Sequence, residues 1–170
     1  MTRLLGIDPG SRRLGWGIID AAGSRMHHVA HGVIAPPGDL DLAARLGVIC
    51  DGLEDALRRW SPEGAAIEQV FAARSARSAL VLGQARGVAM LAIHRFGLPV
   101  GEYTPAEIKL AVSGHGRASK EQLATMVQRL LGYDLKSAGH DATDALAVAI
   151  CHAHGRERQR LVQRARSGGR

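Results

Sequence analysis

Four carboxylates, Asp8, Glu68, Asp141 and Asp144, stand where the neighbouring residues are apolar. Asp8 closes the run Leu4-Leu5-Gly6-Ile7, Glu68 follows Ala65-Ala66-Ile67 and precedes Val70-Phe71, and Asp141 and Asp144 open the apolar stretch 145–150. An unpaired charge in such surroundings is costly, so acids placed this way call for a cation or a base as partner. An all-oxygen set, with no thiolate pair or paired histidines to favour zinc, suits a hard divalent ion such as Mg²⁺ or Mn²⁺. Four acids are more than one Mg²⁺ usually takes from protein, which favours two ions about 3.5–4 Å apart.

Each acid taken alone also has a plainer role. Asp8 can initiate the turn Asp8-Pro9-Gly10-Ser11, and Asp141 or Asp144 can cap a helix and favour its positive end. Glu68 has neither excuse, because strand interiors disfavour Glu and no turn or cap adjoins it. It is the joint pattern that favours a site.

The elements that must position these acids follow from periodicity. Residues 3–8, about 14–20 and about 26–35 read as three consecutive strands on short connections, hence antiparallel neighbours. The apolar stripe Leu42, Leu46, Ile49, Leu53, Ala56 and Leu57 makes 40–60 a helix, ending before Ser61-Pro62. Residues 64–70 form a buried strand reached by that helical crossover, so it lies parallel to the first. A helix over 76–95 and a strand over 98–103 follow. Thr104-Pro105-Ala106-Glu107 and Ser119-Lys120-Glu121-Gln122 are capping boxes that open helices over 105–112 and 120–131. The last helix is expected over 141–154. With the first and fourth strands parallel, Asp8 and Glu68 share one sheet edge, and Asp141 and Asp144, three apart, share one helix face.

Composition bounds the class. At 170 residues the chain suits one domain over 1–154. Cys50 and Cys151 are far apart and read as ordinary thiols of a reducing compartment. No apolar run reaches the roughly 18 residues of a membrane span and no signal segment is evident, so a cytoplasmic protein with no membrane partner is expected. The net charge is +6, and residues 155–170 carry six arginines against Glu157 alone, a net of +5. That Arg-rich stretch reads as a mobile tail, either solubilising or adding phosphate affinity. Residues 71–120 carry Arg74, Arg77, Arg86, Arg95, Lys109, Arg117 and Lys120 against Glu102 and Glu107, again +5. A polarised fold with a basic middle third fits a nucleic-acid partner.

The segments Leu5-Gly-Ile-Asp-Pro-Gly-Ser11, Ile67-Glu-Gln-Val-Phe71, Leu82-Gly-Gln-Ala-Arg-Gly-Val88 and Asp141-Ala-Thr-Asp-Ala-Leu-Ala147 closely resemble the RuvC family of bacterial Holliday junction resolvases, over about 1–154. The resemblance implies an α/β, ribonuclease H-like fold: a five-stranded mixed sheet, its first three strands antiparallel, flanked by helices. It also implies a homodimeric, Mg²⁺-dependent endonuclease that cuts four-way DNA junctions in recombination and repair, beside the RuvA–RuvB branch-migration complex. In that pattern Asp8, Glu68, Asp141 and Asp144 fall on the catalytic, metal-holding carboxylates. Some members place His where this chain has Asp141; His140 here is one residue earlier and is left outside the metal shell.

For DNA contacts the resemblance points to Phe71 at the junction centre and to Lys109 and Lys120 on phosphates near the cut. Arg74 and Arg77 lie in the same loop region as Phe71, where an aromatic beside basic residues can stack on an unpaired base. Phe71 as a core residue and the lysines as solvated helix-face charges remain open alternatives. So does the dimer: the helix over 76–95 is apolar on more than one face, which suits either a subunit contact or full burial. Two rival classes share features. The Gly-Ile-Asp-Pro-Gly-Ser opening also resembles the first phosphate loop of actin-like ATPases, whose two lobes need a longer chain. A junction-binding scaffold without chemistry would have no need of the full acid set.

Overall fold

In sequence order the elements are β1 (Thr2–Asp8), β2 (Leu14–Ala22), β3 (Arg25–Ile34), α1 (Leu42–Trp60), β4 (Gly64–Glu68), α2 (Ala76–Arg95), β5 (Val100–Tyr103), α3 (Pro105–Ser113), α4 (Lys120–Leu131) and α5 (His140–Ser167). They belong to a computed structural model that describes residues 1–69, 75–135 and 137–167. Phe71 and Arg74 lie outside the described residues.

The five strands form one sheet in the order β3-β2-β1-β4-β5. β1 pairs antiparallel with β2, and β2 with β3, while β4 runs parallel to both β1 and β5. This is the mixed sheet expected, with the three-strand meander at one side and the crossover strand beside β1. Alternation along β1 divides the core: Leu4 faces one layer and Leu5 and Ile7 the other. The first layer is covered by α3, α4 and α5, through Ile108, Val112, Leu123, Val127 and Leu146. The second is covered by α1 and α2, through Ile49, Leu53, Leu57, Ala85, Ala89 and Ile93.

Local chemistry explains where the helices begin. Asp41 caps α1 by accepting from the Ala44 amide at 2.8 Å. Both capping boxes are formed, Thr104 with Glu107 and Ser119 with Gln122, and α3 and α4 close on the left-handed glycines Gly114 and Gly132.

The main departure from expectation is the length of α5. Expected to close near 154, it continues to Ser167. Gly155 lies within it at a close approach, where a Cβ would stand 3.1 Å from the Tyr103 hydroxyl. Most of the residues that follow are Arg, Glu, Gln, Leu and Ala, good helix formers whose propensity carries the helix past its last packed turn. β5 is also shorter than expected, starting at Val100, and β4 ends at Glu68.

Candidate active site

The sheet register sets the first two acids side by side. Leu4 lies beside Gly64 and Ile7 beside Ile67, so Asp8 ends β1 next to Glu68 at the end of β4. Glu68 in turn lies beside Tyr103 of β5. Gly15 of β2 faces Asp8 from the other side. The carboxyl ends of two parallel strands are where open α/β sheets place their sites.

The second two acids arrive on α5, and glycines decide how near. A Cβ on Gly15 would stand 2.0 Å from the Asp141 carbonyl oxygen, and one on Gly6 would stand 2.1 Å from that of Ala145. The first turns of α5 therefore rest directly on β1 and β2, with Asp141 over the strand ends and Asp144 on the same helix face.

Burial and neighbouring charge act on Asp8, Glu68 and Asp144. Burial pushes Asp8 up to about 8, and the charges of Glu68, Asp144 and Asp141 add to the effect while Lys120 opposes it. Burial likewise raises Glu68, with Asp144 adding and Lys120 and Lys109 opposing. Asp144 is raised by burial too, against the pull of Lys120 and His140. Such disfavour of the charged form in three neighbouring acids is what a bound cation would relieve.

Basic side chains already share that charge. Lys120 Nζ lies 3.8 Å from Asp144 Oδ2, and Arg13 Nε donates to Asp141 Oδ2 at 2.6 Å. Among the described residues, no three His, Cys, Asp or Glu side chains stand close enough to hold one ion together. The donor chemistry fits a hard divalent ion, since every candidate ligand is a carboxylate oxygen. Gathering the oxygens round it takes side-chain rotation, with Asp141 leaving Arg13.

Of the expected DNA contacts, Lys109 and Lys120 lie within electrostatic reach of the acids. Arg77 is exposed in the first turn of α2, and among the described residues no hydrogen bond or ion pair joins it to them. His140 precedes Asp144 by one helical turn and favours its ionised form. Three arginines take positioning roles that the sequence did not announce. Arg13 holds Asp141. Arg45 donates to the Ser11 carbonyl from Nη2 at 2.6 Å, pinning the loop after Asp8. Arg86 donates from Nε to the Glu68 carbonyl at 3.3 Å and pairs with Glu102. Arg86 lies inside the family-like segment Gln-Ala-Arg-Gly, which was the available signal; nothing local marks Arg13 or Arg45.

Comparison with known proteins decides the family. The family model for crossover junction endodeoxyribonuclease RuvC matches residues 4–152. The chain belongs to the RuvC family. It is 51% identical over 163 residues to the RuvC of Paramagnetospirillum magneticum, covering 96% of this chain and 98% of that one. It is 49% identical over 166 residues to the RuvC of Rhizobium rhizogenes, covering 98% and 97%. Among solved structures, T. thermophilus RuvC in complex with Holliday junction substrate superposes with a TM-score of 0.88 at 31% identity, covering 94% of this chain and 97% of that chain. RuvC family membership carries with it the ribonuclease H-like fold and the class of nuclease.

Proposed function

We propose that this chain is a metal-dependent endonuclease that resolves four-way DNA junctions by paired nicks, leaving 5′-phosphate and 3′-hydroxyl ends. The observation that carries the reading is the placement of Asp8 beside Glu68, with Asp141 and Asp144 of α5 brought over the same strand ends, in a member of the RuvC family. The junction complex of the T. thermophilus relative supports the choice of substrate.

Asp8, Glu68, Asp141 and Asp144 would hold two Mg²⁺ ions, with Mn²⁺ as a substitute. Bound there, the ions would supply activation of a water and stabilisation of the leaving 3′ oxygen. The protein's own part is arrangement. Arg86 fixes the Glu68 end of β4 through its carbonyl, and Arg45 fixes the loop after Asp8. Lys120 Nζ, on an exposed side chain 3.8 Å from Asp144, is free to turn to a phosphate oxygen, and Lys109 adds positive charge on the same side. Phe71, Arg74 and Arg77 would engage the branch point.

A junction has two symmetry-related strands to cut, which suits a twofold dimer with two identical sites. The exposed face of α2 supports one: Leu80 and Leu91 are 71% and 49% exposed, and Gly83 and Gly87 between them have open space above. The buried residues Ala85, Ala89, Ala92 and Ile93 occupy the opposite face. We place the enzyme beside the RuvA–RuvB branch-migration complex in the cell. No helix among the described residues is long and apolar enough to cross a membrane.

The test is cleavage of a synthetic four-way junction beside a linear duplex of the same sequence, with and without Mg²⁺. Symmetric nicks confined to the junction and dependent on Mg²⁺ are expected. Equal cutting of the duplex, or cutting in chelator, would overturn the reading.

A further inference from the structure

α5 leads away from the acids. It starts over the ends of β1 and β2 at Asp141, passes Gly6 at Ala145 and Ala149, and reaches the beginning of β1 at Ala153, Arg156 and Glu157 beside Thr2 and Leu4. From Arg158 onward its residues are exposed up to Arg166. At 1.5 Å per residue, Arg164 lies about 30 Å along the helix from Asp144. This is the end of the sheet opposite the site, next to the β2–β3 turn at Gly23.

The charge there is concentrated and ordered. Residues 155–167 hold five arginines against Glu157, which pairs with Arg160 at 3.6 Å. Arg156, Arg160 and Arg164 are spaced i, i+4, i+8 and so line one side of the helix, each step rising about 6 Å. Arg156 and Arg160 flank a cavity of about 160 Å³ with Thr2 and Gly23, so the stripe starts on the body of the protein. Residues 158–167 contain no aromatic side chain, which leaves no platform for stacking unpaired bases. A stripe of guanidinium groups without such a platform matches the phosphates of a duplex, whose backbone offers a charge every 3.4 Å of rise along each strand. Leu161 and Val162 are exposed as well, but they lie off the stripe and do not interrupt it.

We propose that the C-terminal turns of α5 form a second phosphate-binding surface, which takes the backbone of a duplex arm roughly 30 Å away from the cut. The proposal rests on the reading of the substrate as branched DNA. It assigns the stripe to holding an arm and gives it no part in the chemistry.

The test compares the wild-type chain with the triple variant Arg156→Gln, Arg160→Gln, Arg164→Gln; glutamine keeps helix propensity close to that of arginine. Binding is measured without Mg²⁺ on four-way junctions with arms of about 6 and about 25 base pairs, between about 50 and 200 mM salt; 30 Å corresponds to about nine base pairs. On long arms the variant should bind about tenfold or more weakly at low salt, with a log K against log salt slope shallower by about two to three, close to 0.9 for each phosphate no longer neutralised. On short arms the two proteins should bind alike. Nicking at saturating enzyme with Mg²⁺ should be unchanged on both. The triple Lys variant at the same positions should retain the wild-type slope. Equal slopes and affinities on long arms would sink the proposal, as an acidic protein partner for the helix predicts. So would an equal loss on short and long arms, which places the binding surface at the branch point or reports a disturbed fold. Failure of the wild-type chain to nick any junction would count against the proposed function and leave the arm-length comparison intact.

Discussion

Gly6 lies so close beneath Ala145 that a Cβ on the glycine would stand 2.1 Å from the Ala145 carbonyl oxygen. The contact is backbone on one side, so it cannot be relieved by turning a side chain. It joins the strand that ends in Asp8 to the helix turn that carries Asp144. The separation of these two acids is therefore set by the absence of one methyl group.

Gly6→Ala should force α5 away from β1. The cost of such overpacking is at least about 1–3 kcal/mol. Nicking should fall further than stability does, by at least about tenfold in a protein that is still folded, since a shift of about 1 Å in positioning can cost about a hundredfold. Thermal melts and single-turnover cleavage measured on the same preparation check both parts. A stable variant with wild-type cleavage would show that α5 does not set the acid spacing.

Asp8→Asn should abolish nicking and spare junction binding. It should also change the pH dependence of stability without metal. Asp8 has an ordinary value of 3.8 and is pushed up to about 8 on folding. The folded state thus holds a proton that the unfolded chain has already released, and stability is full below about 4 and is lost as pH rises towards about 8. In chelator the melting temperature should fall between pH 5 and pH 8, Asn at position 8 should flatten that fall, and Mg²⁺ should restore stability most at the alkaline end.

His152 sets an acid limit of a different origin. Its Nδ1 lies 2.9 Å from the Tyr103 hydroxyl, its Nε2 is buried with no hydrogen-bond partner among the described residues, and burial pushes it down from 6.5 to about 4. The unfolded chain takes up a proton that the folded chain refuses, so stability is full above about 6.5 and is lost as pH falls towards about 4, by up to about 3 kcal/mol. Denaturant titrations across this window should show the slope, and His152→Gln should reduce it. An unchanged slope in that variant assigns the acid limit to other groups.

Arg13→Gln removes the guanidinium that occupies Asp141. If the two compete for the same carboxylate, half-maximal nicking should need less Mg²⁺. An exposed pair of this kind is worth about 0–1 kcal/mol, so the shift should be up to about fivefold. A higher Mg²⁺ requirement would instead show that Arg13 orients Asp141 for the ion.

Leu91→Glu tests the exposed face of α2. A charge at the centre of an apolar subunit contact should shift the protein to monomer in sedimentation at micromolar concentration, with no loss of helix content. A dimer of unchanged strength would place the subunit interface on another face.

Much of this molecule is local, and that part could be read from short stretches of chain. The alternating strands, the amphipathic α1 and the two capping boxes are written in short spacings, and each formed within a few residues of its expected bounds. The four acids were legible for the same reason: a charge inside an apolar run is a local anomaly, Glu68 most of all. The rest came with folding, because it depends on residues distant in the chain. The register that sets Asp8 beside Glu68 comes from pairing β1 with β4 across the α1 crossover. The nearness of α5 comes from Gly6 and Gly15, whose small size means nothing until a helix lies above them. Arg13 reaches Asp141 across 128 positions, and no spacing rule reports such an approach. α5 runs past its expected end near 154 to Ser167, and at Gly155 the missing side chain makes room for Tyr103, a residue far away in the chain.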